Sequence, residues 1–249
     1  MTTILFEDNS WNWKTDKIFN MIYDNKFYFL QDFFYNPETI KIVYQVSEEI
    51  FNKANSTNRK IYPAMEDCFR SLQIYNPKVI ILGMDPYHNG AATGLCFSIS
   101  SNSTQINPSF RSIQKEVESN GFKVNKNSGN ITNWASQGVY LLNTALTVEE
   151  ADAGSHLENW VKFTENLLEY LTSKNDNLVI FLWGKDAQSF EVNVKNKEKH
   201  FILKSTHPMP LSAYKSIGGN PAFIGSNCFI KANDYLEKHN KGVINWDIL

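Results

Sequence analysis

Between Gly83 and Ser100 the chain reads GMDPYHNGAATGLCFSIS, which brings an acid, Asp85, two aromatic residues, Tyr87 and Phe97, and His88 into one short stretch. Further along stand Asn143 with Thr144 and Thr147, then Gly184-Lys185 after Trp183, then His207-Pro208 after Lys204-Ser205-Thr206. Asp85 can act as a base, a nucleophile or a fixed negative charge. His207 can act as an acid, a base or a hydrogen-bond donor to a developing anion. Asn143 offers one donor and one acceptor side by side, which suits an amide or a pyrimidine edge. Phe97 presents a flat apolar face on which a base can stack, with a pure core role as the rival reading. Tyr87 can wall off one side of a pocket. No carboxylate cluster calls for a metal, and no glycine loop leads into GKS or GKT, which argues against a nucleoside triphosphatase.

Most of these groups follow a short apolar run. Five such runs occur, Val79–Leu82, Leu95–Ile99, Val139–Leu142, Leu178–Leu182 and Phe201–Leu203. Most are apolar on successive residues, the mark of a strand covered on both faces. Between several of them lie segments with helical spacing, Ser109–Ser119, Leu157–Leu171 and Asp186–Val194. The alternation predicts an α/β fold, a three-layer sandwich with a short, mainly parallel central sheet flanked by helices. One domain over residues 1–249 is expected, with a helical N-terminal part over about 1–60, where Asn36-Pro37-Glu38 supplies a cap, a proline at the first helical position and an early acid. The Asn/Lys/Ser stretches Asn52–Lys60 and Lys123–Asn130 read as surface loops. Ligands of parallel sheets bind beyond the carboxyl ends of the strands. Four strand ends with suitable polar groups therefore predict one site.

Bulk properties narrow the classes. The chain has 249 residues, 42% apolar and 20% charged, with a formal net charge of -2, which excludes an overall basic nucleic-acid coat but leaves room for a local patch. Lysines are in excess between Lys185 and Lys215, a pattern most simply explained as solvated surface. Cys68, Cys96 and Cys228 are far apart and form no CxxC, so free buried thiols in a reducing compartment are expected rather than a zinc or iron–sulfur site. No apolar run approaches the ~20 residues of a membrane span. The start, MTTILFEDNSWNWK, has no basic segment, apolar segment or small-residue cleavage site of the secretory kind. An intracellular protein is expected, in cytoplasm or nucleus, as a monomer, with no metal or organic cofactor.

DPYH after a buried strand, GLCFSI, LLNTALTV, GSH, FLWG and HPMPLSAY resemble, in order and spacing, the motifs of the family 1 uracil-DNA glycosylases. The likeness runs from about Ile61-Tyr62-Pro63 to Asn245-Trp246. It implies a monofunctional enzyme that hydrolyses the N-glycosidic bond of deoxyuridine in single- or double-stranded DNA. By the same resemblance, Asp85 orients the attacking water and His207 donates to uracil O2 as charge grows there. Asn143 reads the uracil edge, Tyr87 blocks a thymine methyl, Phe97 stacks on the flipped base, and the backbone N–H of Met84 contacts uracil. For DNA it implies contacts from His88, Ser109, Gly184, Lys185, Pro208, Met209 and Ser212, with Leu211 filling the vacated stack. His200 and His239 carry no motif and are expected at the surface.

The chain departs from the family's pattern at several points. Met84 stands for glutamine, Lys185 for serine after WG, and Met209 for the middle serine of HPSPLS. The link from His88 to Gly94 is one residue short, and the proline-rich loop is reduced to Asn107-Pro108-Ser109. Met209 beside Leu211 suggests a second apolar wedge. The alternative from another class is a DNA-binding accessory subunit of a replication complex with the same fold. A protein inhibitor or a replication partner belongs to the same set of expectations.

Overall fold

The computed structural model describes residues 27–101, 103 and 105–249. Residues 1–26, the first part of the expected N-terminal helical region, lie outside them. After a short turn of helix, α1 (Gln31–Phe34), the chain enters α2 (Pro37–Thr57). The Asn36 side chain accepts a hydrogen bond from the Glu38 N–H at 2.9 Å, and Pro37 occupies the first turn, where it loses no intrahelical bond. α2 continues to Thr57, through most of the stretch expected to be a loop. Val43, Val46, Ser47, Ile50 and Ala54 keep one buried stripe at helical spacing, and that packing overrides the weak helix propensity of the Asn, Ser and Thr residues around it. The helix stops where Asn58 turns left-handed, at φ 52°, with its N–H on the Ala54 carbonyl.

β1 (Ile61–Tyr62) pairs antiparallel with β4 (Val148–Glu149) in a small ribbon. The main sheet holds β2 (Val79–Gly83), β3 (Val139–Asn143), β5 (Val179–Trp183) and β6 (Phe201–Ser205), all parallel, in the order β3-β2-β5-β6. Every residue of β2, β3 and β5 is buried, so both faces of the sheet are covered, as the unbroken apolar runs require. The covering helices are α3 (Pro108–Ser119), α4 (Thr132–Ala135), α5 (Leu157–Lys174), α6 (Lys185–Ser189) and α7 (Cys228–Lys238), with α5 packed on α2. Aromatic residues fill much of the core. Trp134, Phe181, Phe229 and Trp246 form one cluster, and Phe33, Phe34, Phe69, Trp160 and Phe163 form another. The three cysteines are free and buried.

Two further expectations change. Leu95–Ile99 is not a strand. Its residues hydrogen-bond in different directions, Cys96 N–H to the Leu141 carbonyl and Ile99 N–H to the Gly129 carbonyl, both at 2.9 Å, and only a lone bridge joins Ile99 to Ala92. A short apolar run reports burial, and a buried turn satisfies it as well as a strand does. His200 is buried rather than at the surface, its Nδ1 accepting from the Leu178 N–H at 3.3 Å.

Candidate active site

β2 and β5 pair only from Val79 to Ile81 and from Val179 to Phe181, so the last residues of the two strands separate. A cavity of about 460 Å³ opens there, at the carboxyl edge of the sheet and at the point where the chain changes direction across β2. Met84, Asp85, Tyr87, His88, Phe97, Ser109, Asn143, Gly184, Lys185, His207 and Met209 all line it. Residues up to 125 positions apart therefore meet because four strands end on one side.

Asp85 follows β2 directly. Its Oδ2 accepts a hydrogen bond from the Gly154 N–H at 2.6 Å. Burial pushes its carboxyl above the ordinary aspartate range, opposed by the Gly154 N–H and by His88. Asn143 ends β3 in register with Gly83, and its Oδ1 lies 2.4 Å from where a Cβ on Gly83 would be. Only glycine at position 83 leaves room for that amide. Asn143 is 6% exposed, so its amide is presented inside the cavity rather than to bulk solvent.

Phe97 has φ of 61°, a left-handed conformation that costs a bulky residue about 1–3 kcal/mol and persists only where the surroundings impose it. The Tyr87 hydroxyl donates to the Phe97 carbonyl at 3.1 Å and ties the Tyr87 ring to the Phe97 backbone. The Phe97 ring lies 5.6 Å from Trp183 and 6.2 Å from the His207 imidazole, centroid to centroid. Tyr87 and Phe97 thus form two walls of one cavity, and the strained residue sits at the place where chemistry is expected.

His207 follows β6. Its Nδ1 accepts from the Met209 N–H at 3.0 Å, so the neutral ring carries its proton on Nε2. Burial pulls its pKa below the ordinary histidine value, opposed by Asp186. The cavity therefore faces a neutral imidazole N–H donor. Gly184, at φ 90°, lets β5 pass this ring, since a Cβ there would lie 2.8 Å from His207 Cβ.

The loop after His207 is a compact turn. The Ser212 hydroxyl donates to the His207 carbonyl at 2.9 Å, and the Thr206 hydroxyl donates to the Ser212 carbonyl at 3.0 Å. This leaves Leu211 78% and Met209 41% exposed at the rim, whereas Pro208 is buried and stiffens the turn instead of presenting a ring to solvent. His88 and Lys185 are exposed. Ser109 lies in the first turn of α3, its N–H capped by the Asn107 carbonyl oxygen of the side chain at 3.0 Å. The structure brings together all the expected residues except Pro208, Leu211 and Ser212, which shape or crown the mouth rather than line it.

Sequence reading assigned no role to Gly154. A backbone donor leaves no side-chain signature, and the only available signal was GSH, Gly154-Ser155-His156, lying in motif order. It also passed over Trp183, whose buried indole stacks on Phe181 and lines the cavity beneath Phe97.

Residues 69–237 match the family described as the uracil DNA glycosylase superfamily. A uracil-DNA glycosylase of Oceanobacillus iheyensis is 42% identical over 203 residues, covering 80% of this chain and 85% of its own length. One from Azobacteroides pseudotrichonymphae is 39% identical over 219 residues, covering 87% and 89%. Among solved structures, a mimivirus UNG variant in complex with UGI superposes with a TM-score of 0.84 at 27% identity, covering 97% of this chain and 96% of that one.

Proposed function

From the premise that the chain belongs to the uracil-DNA glycosylase superfamily and excises uracil from DNA in base excision repair, we propose the division of labour by which its residues do so. The observation that carries the reading is the convergence of Asp85, Tyr87, Phe97, Asn143 and His207 on one cavity. A deoxyuridine turned out of the helix enters with its base stacked on Phe97 and its 5-position against Tyr87. The Asn143 amide donates to O4 and accepts from N3–H. Cytosine reverses both groups, and each mismatched buried group costs about 1–3 kcal/mol.

The bond between N1 and C1′ breaks with its electron pair moving into the base. The charge that gathers on O2 meets the His207 Nε2–H, a donor already oriented by Met209. The Asp85 carboxylate offsets the positive charge on the sugar and orients the water that adds to C1′; the water's proton passes to Asp85 and on to solvent, and the departing uracil anion takes up a proton from solvent, leaving an abasic site and free uracil. No lysine stands in place of Asp85, so the reaction is monofunctional. Leu211, His88, Ser109, Gly184, Lys185, Met209 and Ser212 engage the strand and the vacated stack. Pro208 acts through the shape of its turn. Monomeric action, an intracellular site and recognition by UGI belong to the same proposal. Free buried thiols support the intracellular site, and the fold shared with the mimivirus relative supports UGI recognition.

The test is a labelled oligonucleotide with one deoxyuridine, incubated with the protein in chelator and then cleaved with alkali at abasic sites. Cleavage at uracil but not at thymine or cytosine is expected, with Asp85→Asn slower by roughly 10²–10⁴-fold. An Asp85→Asn protein as fast as the parent would remove Asp85 from the mechanism.

A further inference from the structure

The Asp85 carboxylate is held from behind by a loop, residues 149–156, and that loop is held in turn by residues 53–60, a segment whose sequence suggested only surface. Gly154 gives its N–H to Asp85 at 2.6 Å, and Ala151 gives its N–H to the His88 carbonyl at 3.0 Å, so one loop supports two residues of the DPYH motif. On the other side, the Lys60 carbonyl accepts from the Glu150 N–H at 2.7 Å and the Lys53 ammonium binds the Ser155 carbonyl. Arg59 Nη1 lies 2.6 Å from Asp152 Oδ2 and 3.7 Å from Glu149 Oε2.

Glu149 makes this arrangement consequential. Its side chain is fully buried, and neither carboxylate oxygen has a hydrogen-bond partner. A buried carboxylate needs a countercharge close by. His156 Nε2 lies 3.8 Å away, but Thr147 Oγ1 engages its Nδ1 at 2.8 Å and burial, with Lys53 nearby, lowers its pKa to about 4, so it is neutral at neutral pH. Lys53 is engaged on the Ser155 carbonyl. Among the described residues, Arg59 is the cation that lies within 4 Å of both Glu149 and Asp152.

We propose that Arg59 is a positioning residue for catalysis: by joining Glu149 to Asp152 it fixes the 149–156 loop, and through the Gly154 N–H it sets the orientation of the Asp85 carboxylate. The proposal rests on Asp85 being the catalytic carboxylate. Arg59 touches neither the cavity nor, on this reading, the substrate. Its side chain is 45% exposed, so replacing it creates no hole in the core.

The test is a double-mutant cycle read by single-turnover rates on deoxyuridine DNA with enzyme in saturating excess. Arg59→Ala is expected to slow excision by about tenfold, with half-saturation within about twofold of the parent and Arg59→Lys recovering most of the rate. In an Asp85→Asn background the same substitution is expected to change the rate by less than about twofold, because the group it positions is gone. Loss of the Gly154 N–H raises the Asp85 pKa, so in Arg59→Ala the fall in rate on acidification begins at higher pH. The groups facing Asp85 are the Gly154 N–H and the His88 side chain, and both favour its charged form. An equal fall in both backgrounds, or an unmoved acid limb, overturns the proposal and leaves Arg59 a matter of fold stability. Full activity of Asp85→Asn alone would instead overturn the assignment of Asp85.

Discussion

The two sides of the cavity are built on opposite electrostatic terms. Both Asp85 and His207 sit in partly dehydrated surroundings, and dehydration drives each toward its neutral form. In the proposed mechanism the neutral form of His207 is the useful one, so burial and that role agree, and one backbone N–H is enough to set the tautomer. In the same mechanism the charged form of Asp85 is the useful one, so burial works against that role, and the loop carrying Gly154 opposes it. The sign for stability follows. A carboxyl whose native pKa is raised favours the folded state below its unfolded pKa and loses that contribution as pH rises through the native value. The folded protein at neutral pH therefore gives up stability at Asp85 to keep a charge there. Supports are distributed accordingly, with a clamped loop behind the acid and a short self-bonded turn behind the imidazole.

That contrast can be broken first at His207. His207→Leu should slow excision by roughly 10²–10³-fold, the loss expected for one preorganised donor to a developing anion. The pH dependence sharpens it. With His207 depressed, the parent's rate should pass through the ordinary histidine range unchanged on acidification. It should then fall as Asp85, raised above the usual aspartate value, takes up a proton. A rate that drops by half near the ordinary histidine pKa would show that the imidazole is not held neutral.

A smaller effect is expected at Tyr87, where the acid's motif meets the stacking wall. Tyr87→Ala should admit thymine, losing discrimination of about 10–200-fold, the usual worth of a methyl-sized contact. Tyr87→Phe keeps the ring and loses the bond to the Phe97 carbonyl, so it should still reject thymine while slowing uracil excision modestly. Thymine release by both variants alike would locate the discrimination elsewhere. The smallest change belongs to the His207 side. Met209→Ser should weaken excision from duplex a few-fold and leave single-strand excision nearly unaltered, because an apolar wedge matters only where a stack must be filled. Equal or better duplex activity would remove Met209 from base flipping.

The same division describes what the sequence discloses. The side chains assigned to chemistry at strand ends were readable, since Asp85, Asn143 and His207 each follow an apolar run that forms a strand, fully buried in β2 and β3 and half-buried in the edge strand β6. Backbone geometry was not. Leu95–Ile99 carries the composition of a strand, and nothing in those letters tells of a left-handed Phe97 with its carbonyl on Tyr87. Gly154 contributes an N–H, which every residue but proline possesses. Arg59 stands among Asn, Ser and Lys residues that look like any solvated tether, and its partners lie about 90 positions away. Pro208 belongs to a motif expected to face DNA but is buried, a distinction that residue type does not encode.

The splaying of β2 from β5 has a consequence for how the molecule comes into being. Pairing of these strands ends at Ile81 and Phe181, while β6 joins the sheet only through β5, at its edge. A growing chain therefore acquires Asp85 and Asn143 well before it can place His207 opposite them. β3 and β6 are the two edge strands, so the Asn143 amide and the His207 imidazole come from opposite margins of the sheet, while Asp85 follows a central strand. The site is therefore complete only when the last strand in chain order has joined the sheet.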